Sequence, residues 1–235
     1  MSTPLAAAPT FDPTWEADIY SHGRCLNKYP YDIVVQFVFR HFPRNRPRHA
    51  VRILEIGCGA GNNLLFAAAE GFQVTGLDGS RSAVEHARRR FAESGLAAEL
   101  HVGDFTQLPF ADESFDLAID RGALVCTGLG SGRRAAAEVR RVLKPGGKFL
   151  FNPYSAAHTS ASSGTPIDDG LMVDIDRGSL VGCGQLCFYR RTDVDAVAAD
   201  GWNVLQLEHM QATDLARTPA AVHAEWRVIL ERTPS

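Results

Sequence analysis

Acids at strand ends, glycines in a tight turn and aromatics beside them are spaced for ligand chemistry in the first half of this 235-residue chain. Glu55 stands just before Gly57, Gly59 and Gly61, in the run ILEIGCGAGNN. A strand, a glycine turn and a helix N-terminus in that order aim backbone N–H groups at a polar ligand. Asp78, roughly 20 residues further on at the end of a second strand, is placed to bind both hydroxyls of a ribose. Asp104, closing a third strand, can accept from the exocyclic amino group of adenine, and Phe105 beside it can flank the ring. The GxGxG spacing, with Asn62 after Gly61, departs from the GxGxxG of dinucleotide sites. A carboxylate at Glu55 would also repel a pyrophosphate, whereas it favours a cationic or zwitterionic group. Together these residues ask for an adenosine with a positively charged, non-phosphate tail. Each acid taken alone would serve equally as a helix cap or a solvated charge; their order along the chain carries the reading.

The elements around these residues alternate. Val51, Ile53, Leu54 and Ile56 mark a strand buried on both faces of a parallel sheet. LLFAAAEG follows as a helix, then the strand QVTGL over 73–77. SAVEHARRRFAESG forms a helix capped by Ser80 or Ser82 and stopped by Gly95. Strands at 99–102 and 116–120, joined by the polar turn LPFADESF, then the helix RRAAAEVRRVL, a stop at Pro145-Gly146-Gly147 and the strand KFLFN complete a run of five strands and three helices. That pattern predicts an α/β, Rossmann-like, doubly wound sheet with helices on both faces. Upstream, residues 1–14 read as a disordered lead, 15–45 as an N-terminal cap, and DIVVQFVFRH as a helix with one apolar face. Downstream, 154–185 reads as a long Ser/Gly/Thr/Asp-rich loop, the start of a substrate-side insertion extending to residue 190. A helix over 192–200 capped by Thr192 and the strands WNVLQLEHM and HAEWRVILER close a single domain.

Composition sets bounds on function. An apolar fraction of 45% with 22% charged residues is ordinary for a globular domain. A net charge of -3 gives no basic patch for nucleic acid. No apolar run reaches the roughly 18 residues of a membrane helix, and the N-terminus lacks a secretory pattern. Five scattered cysteines without CxxC spacing fit reduced thiols in a cytoplasmic protein rather than disulfides or a metal site. Cys58 fills the glycine turn where a small residue is needed.

From Val51 to Phe151 the chain resembles the class I S-adenosylmethionine-dependent methyltransferases, especially the branch with a ubiquinone/menaquinone-methyltransferase-like domain. LEIGCGAG, VTGLDGS, GDFTQLPFADESFDLAID and RRVLKPGGKFLF match successive family motifs in order. The resemblance implies S-adenosylmethionine as cofactor and a seven-stranded, mostly parallel sheet with an antiparallel last strand. It places Glu55, Gly57, Cys58, Gly59 and Gly61 on the methionine and ribose side. Asp78 with Gly79 takes the ribose, Asp104 and Phe105 the adenine, and Asp120 with Arg121 lies under the methionine tail. DRGALV stands where adenine and amide N-methyltransferases carry an NPPY-type run.

Ligands of open α/β sheets bind beyond the carboxyl ends of the strands, which points to the segments after strands four and five and to the N-terminal cap. His158 is the first candidate general base, with His209 and His223 behind it; a packing histidine is the competing role for each. Tyr20, Tyr29, Tyr31 and Tyr154 are candidate walls of an acceptor pocket. Arg24 and Lys28 are candidates for the cofactor carboxylate or an anionic acceptor. The expectation is methyl transfer to an oxygen or nitrogen of a small molecule. A cofactor-binding protein without turnover, or an NAD-dependent oxidoreductase disfavoured by Glu55 and GxGxG, are the competitors.

Overall fold

The computed structural model describes residues 11–216 and 218–234. The first ten residues of the expected lead lie outside the described residues. A helical turn at Trp15–Tyr20 and helix α1 (Asp32–His41) precede a run of five strands with three α-helices among them. These are β1 (Arg52–Ile56), α2 (Asn62–Ala69), β2 (Gln73–Asp78), α3 (Arg81–Glu93), β3 (Glu99–Val102), β4 (Phe115–Asp120), α4 (Leu129–Val142) and β5 (Leu143–Phe151). Short strands β6 (Thr165–Pro166), β7 (Leu171–Val173) and β8 (Leu186–Cys187) follow, then α5 (Arg191–Val197), β9 (Trp202–Asp214) and β10 (Ala221–Arg232).

The main sheet has seven strands in the order β3-β2-β1-β4-β5-β10-β9. All neighbours are parallel except β10, which runs antiparallel between β5 and β9. The chain reverses between β1 and β4, so their carboxyl ends open a crevice at which ligands bind in such sheets. Alternation along β1 splits the core. Ile53 faces a cluster with Val34, Phe37 and Leu64 of α1 and α2, whereas Leu54 and Ile56 face Ala135 and Val139 of α4. Both faces are covered, so β1 reads as a continuous apolar run interrupted only by Glu55. Each fully buried Val, Leu or Phe side chain contributes about 1.5–3 kcal/mol relative to exposure.

Four local expectations change. Helix α4 begins at Leu129, ahead of the expected RRAAAEVRRVL, because Asp169 of the insertion accepts the Gly130 N–H at 3.0 and 2.8 Å. That cap comes from a residue far along the chain and satisfies a first-turn donor. Pro145-Gly146-Gly147 is not a joint between helix and strand. It forms a bulge inside β5, where the register with β4 shifts and Gly146 takes φ +74°. Helix α5 is capped at Arg190, whose N–H donates to Asp193 Oδ2 at 2.8 Å, and Thr192 lies inside it. The helix ends at Val197 rather than Asp200. The long loop after β5 contains a small sheet of its own, β6-β7-β8, built on the apolar residues LMV that periodicity left isolated.

At the opposite end of the sheet from the crevice, Asp116 ties three elements. It accepts the backbone N–H of Arg52 at 2.9 Å, pairs with Lys144 at 2.9 Å and also binds Arg46. Burial opposes its ionisation, but these three donors outweigh burial and hold its carboxyl below the usual range. A depressed folded pKa means stability present above the unfolded carboxylate pKa and lost as pH falls through the folded one. Asp116→Asn is expected to cost roughly 1.5–3 kcal/mol at neutral pH. Urea denaturation at pH 7 and pH 3 should show the gap between the two proteins shrinking at the lower pH.

Candidate functional site

The crevice holds a cavity of about 250 Å³. Its floor is the turn after β1. Gly57, Gly59 and Gly61 all take positive φ, the region in which a Cβ is strained. A Cβ at Gly57 would run into Ala123, and one at Gly59 would strike the Tyr20 hydroxyl. Gly61 sits at the start of α2, where a Cβ would press on Ala87 of α3. It therefore sets helix spacing, while Gly57, Gly59 and Cys58 line the cavity.

Glu55 opens onto this cavity from a position only 2% exposed. Its Oε1 accepts from Asn63 Nδ2 at 2.6 Å, and its Oε2 is buried with no hydrogen-bond partner among the described residues. Burial, with the charges of Asp120 and Asp78, pushes its carboxyl up to about 8 against the lowering bond from Asn63. Asp78 accepts from Gly59 N and Ser80 N, each at 2.8 Å, and burial raises its pKa against these bonds. Asp120, fully buried, uses Oδ1 to hold the Ala123 and Leu124 N–H groups at 2.8 and 3.0 Å, leaving Oδ2 without a partner. Burial pushes it up to about 6. Three acids, two of them with an oxygen lacking a partner, converge on one crevice. Desolvated carboxylates of this kind favour a ligand that brings donors and positive charge.

The N-terminal segment closes over this floor. Residues 11–14, read from sequence as part of a disordered lead, pack into the site. Phe11 covers Gly79, and buried Asp12 accepts from Thr14 N at 2.9 Å and from Gln185 N at 2.8 Å. Glu16 clamps the start of α3, accepting from Ser82 N at 3.0 Å, Ser82 Oγ at 2.7 Å and the Ser80 hydroxyl. Asn62 donates to Tyr29 O at 2.9 Å, and Asn63 accepts from Tyr31 N at 3.0 Å. The same Asn63 side chain thus grips both the cap and Glu55. Nothing in the composition of the first sixteen residues marks Asp12 or Glu16, because their partners lie on α3 and in the insertion.

The remaining predicted residues divide. Phe105, Gly79, Tyr20, Tyr31, Arg121 and Tyr154 line the cavity. Asp104 is exposed and accepts from Thr106 N and Oγ1 at 2.7 Å in a local turn. Arg24 is exposed, and Tyr29 is exposed with Lys28 over its ring, so the structure leaves these three on the outer face of the cap. His158 is 2% exposed and lies behind Tyr154, with ring centroids 5.7 Å apart. Its Nδ1 accepts from Ser160 N at 3.0 Å, which leaves Nε2–H for Ser179 Oγ at 3.2 Å. Burial, then the charge of His223, lowers it to about 4. His209 stacks on Trp226 and bonds Ser155 Oγ at 2.7 Å. His223 is partly exposed and meets Glu225 Oε2 at 3.5 Å. None of the three histidines is among the residues that line the cavity. Glu225, which sequence reasoning passed over, is 4% exposed and touches Arg121, Arg227 and His223. The two-residue period of a strand could have found it, since it shares a face of β10 with His223.

Removing the Glu16 clamp should free the cap while leaving the sheet intact. Glu16→Ala is expected to speed limited proteolysis within residues 11–31, with an unchanged far-ultraviolet spectrum.

Residues 53–147 match a family described as a methyltransferase domain. The chain is 41% identical over 46% of its length to a malonyl-[acyl-carrier protein] O-methyltransferase of Erwinia pyrifoliae, and that match covers 38% of the relative. It is 31% identical over 72% of its length to a sterol 24-C-methyltransferase of Gibberella zeae, covering 44% of it. The chain thus spans less than half the length of these curated relatives. A SAM-dependent methyltransferase structure from Methanosarcina mazei superposes with a TM-score of 0.69 at 21% identity, over 88% of this chain and 100% of the other. The sheet order, the acids over the glycine turn and these matches converge: residues 53–147 match a methyltransferase domain, and the chain has the fold of solved S-adenosylmethionine-dependent methyltransferase structures.

Proposed function

We propose that the protein binds S-adenosylmethionine and transfers its methyl group to an oxygen or nitrogen of a small molecule. The observation that carries this reading is Glu55, a buried carboxylate with a partnerless oxygen above a glycine turn. A phosphate-bearing cofactor would find no counter-charge there and would hold the carboxyl neutral, whereas an α-ammonium would draw out its charged form as counter-ion. When bound, S-adenosylmethionine supplies an electrophilic methyl on a sulfonium. Glu55 and the turn would hold the amino-acid end, Asp78 the ribose hydroxyls, and Phe105 with Asp104 the adenine.

The chain's own contribution is alignment and exclusion of water. Tyr20, Tyr31 and Tyr154 wall the cavity, and the cap stitched by Asp12, Glu16 and Asn63 covers it. Holding two reactants in line inside a closed site supplies much of the rate gain for a direct displacement. His158, engaged at both ring nitrogens, holds the turn after β5 through Ser160, and no proton step is assigned to it. A carbon acceptor is the second reading, favoured by the sterol 24-C-methyltransferase among the relatives. Binding without turnover would be separated from both by the absence of labelled methyl transfer when the protein is incubated with cell extract and labelled cofactor.

Isothermal titration should show uptake of S-adenosylmethionine and none of NAD; uptake of NAD alone would sink the proposal. Glu55→Gln is expected to weaken cofactor binding at least about tenfold, or 1.4 kcal/mol. The raised pKa also has a sign. Glu55, near 8 in the free protein, is largely protonated at pH 7, and pairing with an ammonium favours its charged form. Binding at pH 7 should therefore release a proton, read as a buffer-dependent heat, and Glu55→Gln should abolish that dependence.

A further inference from the structure

We propose that Arg121 seats an anionic group of the methyl acceptor, so that the acceptor is a carboxylate-bearing small molecule. This deepens the cofactor reading above and rests on it. The Arg121 side chain is 12% exposed at the cavity wall, with its guanidinium 4.2 Å over the Tyr31 ring. Its Nε is buried with no hydrogen-bond partner among the described residues. Its ion pair to Glu225 is 3.5 Å long, and that carboxylate is shared with Arg227 at 2.8 Å and His223 at 3.5 Å. Asp120, next in the chain, spends one oxygen on backbone N–H groups and leaves the other without a partner, so it forms no ion pair with Arg121. A guanidinium offers five donors in a fixed fork suited to a carboxylate. Buried and incompletely satisfied, it costs free energy that a ligand anion would recover.

Position decides whose anion this is. The direct contacts of Arg121 are Tyr31 from the cap, the Tyr154 hydroxyl after β5 and Glu225 on β10, while Glu55 and Asp120 feel its charge without pairing with it. Asp78 and Gly59, which hold the adenosine side, belong to the β1–β2 half of the crevice. The sequence resemblance puts Arg121 under the methionine tail; its contacts turn it toward the acceptor half. Leu180, Leu186 and Val125 line the same cavity. A carboxylate on a compact apolar or aromatic body matches one cation among such walls.

The test uses the full chain loaded with S-adenosylhomocysteine, with benzoate as probe and benzamide as its neutral isostere. Benzoate should raise the melting temperature of the loaded wild-type protein and benzamide should not. Arg121→Gln should weaken benzoate at least about tenfold while changing S-adenosylhomocysteine affinity less than about threefold. Arg121→Lys, which keeps the charge, should retain part of the benzoate effect and decides the matter if the glutamine variant does not fold. A tenfold loss of S-adenosylhomocysteine affinity in Arg121→Gln would give this arginine to the cofactor's own carboxylate and overturn the proposal. Equal effects of benzoate and benzamide, or none from benzoate, would also overturn it. A wild-type protein that takes up no S-adenosylhomocysteine sinks the underlying cofactor reading, and this one with it.

Discussion

Glu55 is buried at the end of β1 with one oxygen on Asn63 and the other on nothing, and much of the site follows from that. A lone carboxylate in such a place is held protonated or is answered by a cation. Its position is forced, because the alternation along β1 points residue 55 to the same side as Ile53, toward the start of α2. There Asn63 waits, and through Asn63 the carboxylate is joined to the backbone of Tyr31. The ligand site, the helix start and the N-terminal cap are therefore one hydrogen-bonded unit.

The closure over this unit joins apolar packing of Phe11, Ile19 and Tyr20 to a set of polar contacts. Asp12 reaches the insertion at Gln185, and Gln185 in turn donates to Cys126 O at 3.0 Å. Glu16 reaches the N-terminus of α3, where a carboxylate is favoured by the orphan N–H groups of the first turn. Such contacts are individually modest and exchange readily with water. The insertion is also braced from its far side, where Asp169 caps α4.

The acids and the arginine in the crevice divide its labour by their partners. Asp78 binds backbone N–H groups of the turn after β1 and of its own loop and lines the cavity, whereas Asp120, fully buried, shapes the loop after β4. Arg121 is held instead by a shared carboxylate and an aromatic face. That support orients the guanidinium without exhausting its donors.

Periodicity and turn chemistry are local, so the five alternating strands and their three helices, the glycine turn and the acids at strand ends could be read along the chain. Gly57, Gly59, Glu55 and Asp78 were legible for that reason, and so was the antiparallel last strand by resemblance. Tertiary structure alone decided the rest. Asp12, Glu16 and Asp169 act on partners that lie far away along the chain, so no local pattern marks them. For His158 the chain leaves two roles open, general base or packing histidine, and folding supplies both of its nitrogens with partners. Tyr29 and Arg24 read like pocket residues in an aromatic-rich segment, but the cap presents its other side, Tyr20 and Tyr31, to the cavity. Which face of a segment meets a cavity depends on what it docks against, and that information is spread over the whole chain.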